Sequence, residues 1–280
     1  MRGGGKNAMQ QKQELETNGA ALVEMRHIYK TFNKGSVNES VLFTDFNLSV
    51  RDGRFVAVVG SNGSGKTTML NVLCGSTPAD SGEVYISGKK ISSLPEYKRS
   101  KFIGRVFQNP AMGTCPKLTV LENMSLADNK GGVFGLNLGV NRRRVDYYRS
   151  QLEMLKMGLE DKLMLPVASL SGGQRQALAL LICAMSPIKL LILDEHTAAL
   201  DPKSSETVME LTQRFVKEKH ITTIMVTHNL RFAVDYGDRL IMMHKGKAVI
   251  DVADGEKEKL SIKDLTAKFD EISIEVGNAI

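Results

Sequence analysis

Apolar and polar residues change their period several times along this chain, and the changes mark its elements. Phe46, Leu48 and Val50 alternate with Asp45, Asn47 and Ser49. That two-residue period predicts a half-buried strand, and residues 21–59 as a whole read as strands. Arg51-Asp52-Gly53-Arg54 is a polar turn. The run Phe55-Val56-Ala57-Val58-Val59 has no polar position and predicts a buried strand, and Met69–Leu73 continues as a helix. Further strands are expected at Glu83–Ser87 and Lys101–Phe107. Breakers crowd residues 109–116. Helices are expected over 119–128 and 142–157, the second with Val145, Tyr148, Leu152 and Leu155 on one face. Between them, 129–141 carries Gly131, Gly132, Gly135 and Gly139 and reads as a mobile surface loop. Leu190–Leu193 predicts a buried strand, 203–219 a helix, and Thr222–Val226, Leu240–Met243 and Ala248–Ile250 strands. A last helix is expected over 261–271. Strands that alternate with helices predict an α/β fold with a mostly parallel sheet and its ligand at the strand C-termini. Residues 109–187 read as a helical insert in that core.

Composition narrows the class. The 280 residues are 42% hydrophobic and 24% charged, ordinary globular usage. The net charge of +6 permits acidic partners without requiring them. The longest apolar run, Ala177–Met185, is about half of the roughly 20 residues a membrane span needs. Residues 1–20 have no apolar centre and read as a disordered leader, not a secretory signal. Cys74, Cys115 and Cys183 lack metal or CxxC spacing and are expected to be reduced thiols.

The chemistry begins at Gly60-Ser61-Asn62-Gly63-Ser64-Gly65-Lys66-Thr67-Thr68. Set between a buried strand and a helix, it fits the phosphate-binding loop G-x-x-x-x-G-K-[ST]. The glycines let the main chain approach a ligand, and the amides and helix N-terminus face an anion. Lys66 is expected on the β/γ-phosphates and Thr67 on Mg²⁺. Asp194 and Glu195 end the strand at Leu190–Leu193. Beside a phosphate loop, Asp194 suits Mg²⁺ held through its water shell, and Glu195 is left to polarise a water. Leu170-Ser171-Gly172-Gly173-Gln174 opens another helix and forms a second anion device by the same dipole logic. Phe32 reads either as core or as a ring that stacks on a base, and spacing alone favours core.

In combination these motifs resemble the nucleotide-binding subunit of an ATP-binding cassette (ABC) transporter, of the bacterial importer type. The likeness covers roughly Leu22 to Ile250. It implies a P-loop NTPase (RecA-like) core with an antiparallel β subdomain and an inserted α-helical subdomain. The ATPase domain would span 21–260, with a C-terminal helix or tail over 261–280. Gly60–Thr68 matches the family's Walker A and Leu190–Glu195 its Walker B. Leu170–Gln174 matches the signature, Ala199-Leu200-Asp201 the D-loop, Gln108 the Q-loop glutamine and His228 the switch histidine. Phe32 matches the aromatic that stacks on adenine. By resemblance, Glu195, His228 and Gln108 are catalytic, and Thr67, Gln108 and Asp194 serve the metal. Ser171, Gly172, Gly173 and Gln174 reach the ATP of a second copy in a head-to-tail homodimer. His196 stands where the family has proline; it either contacts the dimer interface or is inert. The implied function is an ATPase at the cytoplasmic face of the membrane. It would drive a permease that imports a small solute such as an amino acid, with a separate solute-binding protein. An exporter or lipid-extraction ATPase is the alternative. Nucleic acid is not an expected partner: one cassette without a heptad tract does not suit the repair and translation members.

Overall fold

The computed structural model describes residues 21–130 and 139–277. The expected leader and residues 131–138 of the glycine-containing loop lie outside the described residues. Among those described, two sheets form. The first is antiparallel and runs in the order β2-β1-β4-β5, from β1 (Ala21–Phe32), β2 (Ser40–Arg51), β4 (Ser81–Ile86) and β5 (Lys89–Lys90). The second runs β10-β9-β3-β8-β7-β6, from β3 (Phe55–Gly60), β6 (Ile103–Val106), β7 (Leu190–Asp194), β8 (Thr222–Val226), β9 (Arg239–His244) and β10 (Lys247–Ala253). It is parallel except for the β9/β10 edge hairpin.

The continuous apolar run of β3 follows from burial on both faces. Phe55, Ala57 and Val59 enter one core with the helices, whereas Val56 and Val58 enter a second core shared with the antiparallel sheet. The strand β7 divides in the same way, with Leu191 and Leu193 on the helical side and Leu190 and Ile192 opposite. Each such strand is therefore clamped from both sides, which holds its C-terminal end in place.

Helices connect the strands: α1 (Lys66–Cys74), α2 (Glu96–Arg99), α3 (Val120–Asp128), α4 (Val145–Glu153), α5 (Gly172–Met185), α6 (Pro202–Lys219), α7 (Leu230–Tyr236), α8 (Asp254–Glu258) and α9 (Ile262–Gly277). Local chemistry sets their starts. Thr119 caps α3 in a capping box with Glu122, and Asp201 caps α6, with Pro202 in the first turn, by accepting from Ser204 N at 3.0 Å.

Two helix boundaries depart from expectation. Residues 142–157 are not one helix: Arg142–Arg144 form a 3₁₀ turn, and α4 stops at Glu153 because Lys156 (φ 53°) and Gly158 (φ 67°) turn left-handed. Tyr148, Leu152 and Leu155 are nevertheless buried. Of the three arginines, Arg142 and Arg143 are solvated, while Arg144 pairs with Asp128 at 2.8 Å. The last helix runs to Gly277 rather than ending at 271, and its Leu265 is fully buried in the helical core.

Candidate active site

The β7/β8 register sets Asp194 beside Val226, and β3/β8 sets Val58 beside Val226. Three parallel strands thus deliver their C-terminal ends together: Gly60 from β3, Asp194 and Glu195 from β7, and Thr227-His228 from β8. Two bonds tie the ends laterally, Glu195 N donating to Val226 O (2.9 Å) and Thr227 N to Val58 O (3.2 Å).

The phosphate-loop backbone requires its glycines. Gly65 is the N-cap of α1 at φ 106°, and a Cβ there would lie 2.9 Å from the Phe43 ring. Gly60, at φ 154°, would place a Cβ 2.3 Å from Met243 O on the paired strand β9. Lys66 is 5% exposed, and its ammonium donates to Gly60 O (2.7 Å) and Ser61 O (3.0 Å). Burial pulls its pKa below the usual lysine value, while the Glu195 and Asp194 carboxylates pull the other way. Inside the loop, Ser64 Oγ is buried without a hydrogen-bond partner.

Phe32, Asn62, Gly63, Ser64, Gly65, Lys66, Thr67, Thr68 and Glu195 line one cavity of about 310 Å³. The spacing-based expectation that Phe32 is core is corrected here: the ring is 37% exposed at the cavity, with the Lys30 ammonium 5.2 Å from its centre. Thr67 is exposed. Glu195 takes the left-handed backbone (φ 49°), costly for a residue with a Cβ, and its Oε1 lies 2.8 Å from His228 Nε2. Gly60, Ser61 and His228 also line a second cavity of about 320 Å³, together with Thr266 and Phe269 of α9.

Other expected residues lie apart from this cavity. Gln108 is exposed and lines a separate one of about 340 Å³ with Gly172, Arg175, Ala199 and Leu200. Ser171 caps α5 in a capping box with Gln174. Gln174 is fixed further by accepting from Lys162 Nζ (3.1 Å) and donating to Met157 O (3.0 Å). Gly172 and Gly173 pack against the segment that holds Asp201: a Cβ on either would meet Leu200 or Ser204 at 3.2 Å. Bonds from Ser204 hold the Asp201 carboxyl below its ordinary range.

His196 is buried inside the chain. It is 2% exposed, with Nε2 3.4 Å from Thr212 Oγ1, and burial lowers its pKa to about 4. Arg105 escaped the sequence reading altogether. Its Nη2 donates to Asp194 Oδ2 at 2.6 Å and its Nη1 to Asn71 Oδ1 at 2.9 Å. Only its single positive charge on a strand could have flagged it.

Known proteins resemble this chain in sequence and in fold. The sequence profile described as "ABC transporter" matches residues 43–198. A tyrosine transport ATP-binding protein of Clostridioides difficile is 45% identical over 249 residues, 89% of this chain and 99% of that protein. A spermidine/putrescine import ATP-binding protein, PotA of Haemophilus influenzae, is 32% identical over 239 residues, 85% of this chain; the chain spans 59% of that relative's length. The dimeric post-hydrolysis structure of the ATP-binding cassette MJ0796 with ADP and Pi superposes with a TM-score of 0.69 at 30% identity, covering 82% of this chain and 98% of that one. The α/β architecture is thus that of the cassette ATPases, with a P-loop at the end of β3. No helix among the described residues is long and apolar enough to cross a membrane. In sequence and in fold alike, the chain belongs to the ABC transporter family, as one of its ATP-hydrolysing, ATP-binding subunits.

Proposed function

We propose that this chain powers the import of a small solute, with an aromatic amino acid as the first candidate, by hydrolysing ATP at the cavity beneath Phe32. The observation that carries the site is one cavity uniting the Lys66 loop with Glu195, whose other contact is His228 at 2.8 Å. Residues 21–260 would form the ATPase domain, with 109–187 as its helical insert. Phe32 stacks on the base. The loop amides, the Ser64 hydroxyl and Lys66 hold the phosphates. Lys66 exchanges its two carbonyl partners for phosphate oxygens, so that a cation already desolvated meets the developing charge. Glu195 accepts a proton from the attacking water, and His228 fixes the carboxylate through Oε1.

The donor set suits Mg²⁺. One carboxylate (Asp194) and one hydroxyl (Thr67) are hard oxygen donors of the kind that ion takes while keeping several waters. When bound, the ion would supply charge neutralisation to the phosphates of the nucleotide. Gln108, which lines a separate cavity, would serve the metal as its motif implies.

Ser171–Gln174 of one copy would close over the nucleotide of a second in a head-to-tail pair, an isologous arrangement. The pair would sit at the cytoplasmic face of the membrane beneath a permease, supplied by a solute-binding protein. The solute class is supported by the tyrosine-transport relative, and the direction by the spermidine/putrescine import relative. The test is to tag the Glu195→Gln protein, solubilise membranes with ATP and Mg²⁺, and identify what co-purifies. A permease with a solute-binding protein that binds tyrosine is the expected result. A permease alone would favour export, and the absence of any membrane protein would overturn the reading.

A further inference from the structure

Arg105 lies on β6, in register with Ile192 of β7 and three residues before Gln108. Its side chain is 13% exposed and that of Asp194 15%. The guanidinium forks: one arm donates to Asp194 Oδ2 (2.6 Å), the other to Asn71 Oδ1 (2.9 Å) on the helix that follows the phosphate loop. Its Nε is buried with no hydrogen-bond partner, and its Cζ lies 4.8 Å from the Phe107 ring centre. A desolvated cation with an unpaired Nε is costly to keep in such a place, and the charged group it meets there is Asp194.

We propose that Arg105 is a positioning residue for ATP hydrolysis: its fork pins one oxygen of Asp194 and leaves the other to receive the hydrated metal. The inference rests on the reading of Asp194 as the metal carboxylate. A charge-assisted bond to an ionised oxygen is short and directional, and partners of this outer kind orient metal-binding groups. The same positive charge also repels a metal ion, so the two effects oppose each other. Positioning is favoured because Asn71 holds the second arm of the fork and so tethers the guanidinium to α1. Lysine cannot reproduce this, since its ammonium is a point charge without the planar fork. Arg105 thereby joins three pieces of the machine: the loop helix through Asn71, the metal carboxylate, and the strand that leads to Gln108.

The test is the Mg²⁺ dependence of nucleotide binding, independent of turnover. A fluorescent ATP analogue is bound to the full chain at subsaturating concentration, Mg²⁺ is titrated, and affinity is measured again in EDTA. Arg105→Met is expected to raise the Mg²⁺ concentration at half-effect about tenfold, as loss of an outer partner does elsewhere, with affinity in EDTA unchanged. Arg105→Lys recovers part of the shift, and Asn71→Ala, which frees one arm of the fork, produces a smaller shift of the same sign. An unchanged half-point in Arg105→Met would overturn the proposal. A lower half-point would do so as well, since the arginine would then be a competitor of the metal. An equal loss of affinity in EDTA would make the residue structural. Should Arg105→Met fail to fold, the lysine and Asn71 variants decide by the same comparison. Asp194→Asn separates the two levels: if it leaves the Mg²⁺ dependence intact, the metal reading itself fails; if it shifts the dependence and Arg105→Met does not, only the positioning role fails.

Discussion

Gly60→Ala places a methyl where the paired strand already has a carbonyl. The new Cβ would lie 2.3 Å from Met243 O and 2.8 Å from Ser64 Oγ, more than an ångström short of ordinary contact for the first. Met243 O is backbone and cannot rotate away, so β3 and β9 must part at the mouth of the loop. Overpacking of this kind costs about 1–3 kcal/mol. The backbone at φ 154° adds about 1–3 kcal/mol for a residue with a Cβ. The sum, roughly 2–6 kcal/mol, is a large share of a typical folding free energy of about 5–15 kcal/mol. Gly63→Ala is the matched control: it too has positive φ (75°), but nothing lies within 4 Å of its Cβ, leaving only the left-handed backbone cost of about 1–2 kcal/mol. At about 2–4 °C per kcal/mol for a chain of this size, thermal unfolding without nucleotide should fall roughly 4–24 °C for Gly60→Ala and roughly 2–8 °C for Gly63→Ala, with the larger fall in Gly60→Ala. Equal losses in the two variants would refute the steric reasoning, and a wild-type Tm for Gly60→Ala would refute the loop geometry.

Other expectations concern single side chains. His196 is buried neutral with a pKa near 4, below its ordinary 6.5. The unfolded chain therefore binds the extra proton between those values, and stability present above pH 6.5 falls as pH drops toward 4, by about 3 kcal/mol at most. His196→Gln should flatten that part of the stability–pH curve measured by denaturant unfolding; superimposable slopes would show that the ring does not titrate as described. His228→Ala should lower turnover more than nucleotide affinity, because it loosens Glu195 without touching the loop; a loss of affinity alone would assign the histidine to binding. Ser171→Ala removes the cap of α5 and should cost about 1 kcal/mol of stability, read by thermal unfolding, and should also weaken ATP-dependent pairing of copies. Pairing that is unaffected would separate Ser171 from the trans site.

Much of the fold was legible because its central strands are buried on both faces, so that Phe55–Val59 and Leu190–Leu193 have no polar interruption. The loop was legible because few residue types tolerate its backbone: glycine at 60 and 65, then lysine and threonine. What escaped were properties set by distant neighbours. Arg105 meets Asp194 across 89 positions, and no local spacing announces that pair. The end of α4 is set by left-handed Lys156, a residue with no turn signature in its own right. Phe32 is compatible with a core or a surface until the cavity beside it is known. His196 sits next to Glu195 in sequence, yet the chain turns at Glu195 and sends the histidine into the protein toward Thr212. Gln108 and the Ser171–Gln174 segment belong to the same chemistry by motif but line or cap a different face from Lys66.

The most direct measurement is ATP binding and hydrolysis side by side in Glu195→Gln. Glutamine keeps the shape and an acceptor for His228 but cannot take a proton, so ATP affinity should match the wild type while hydrolysis falls by about 10²–10⁴, the usual contribution of a general base. Hydrolysis at the wild-type rate would contradict the assignment of Glu195 as the base at the centre of this site.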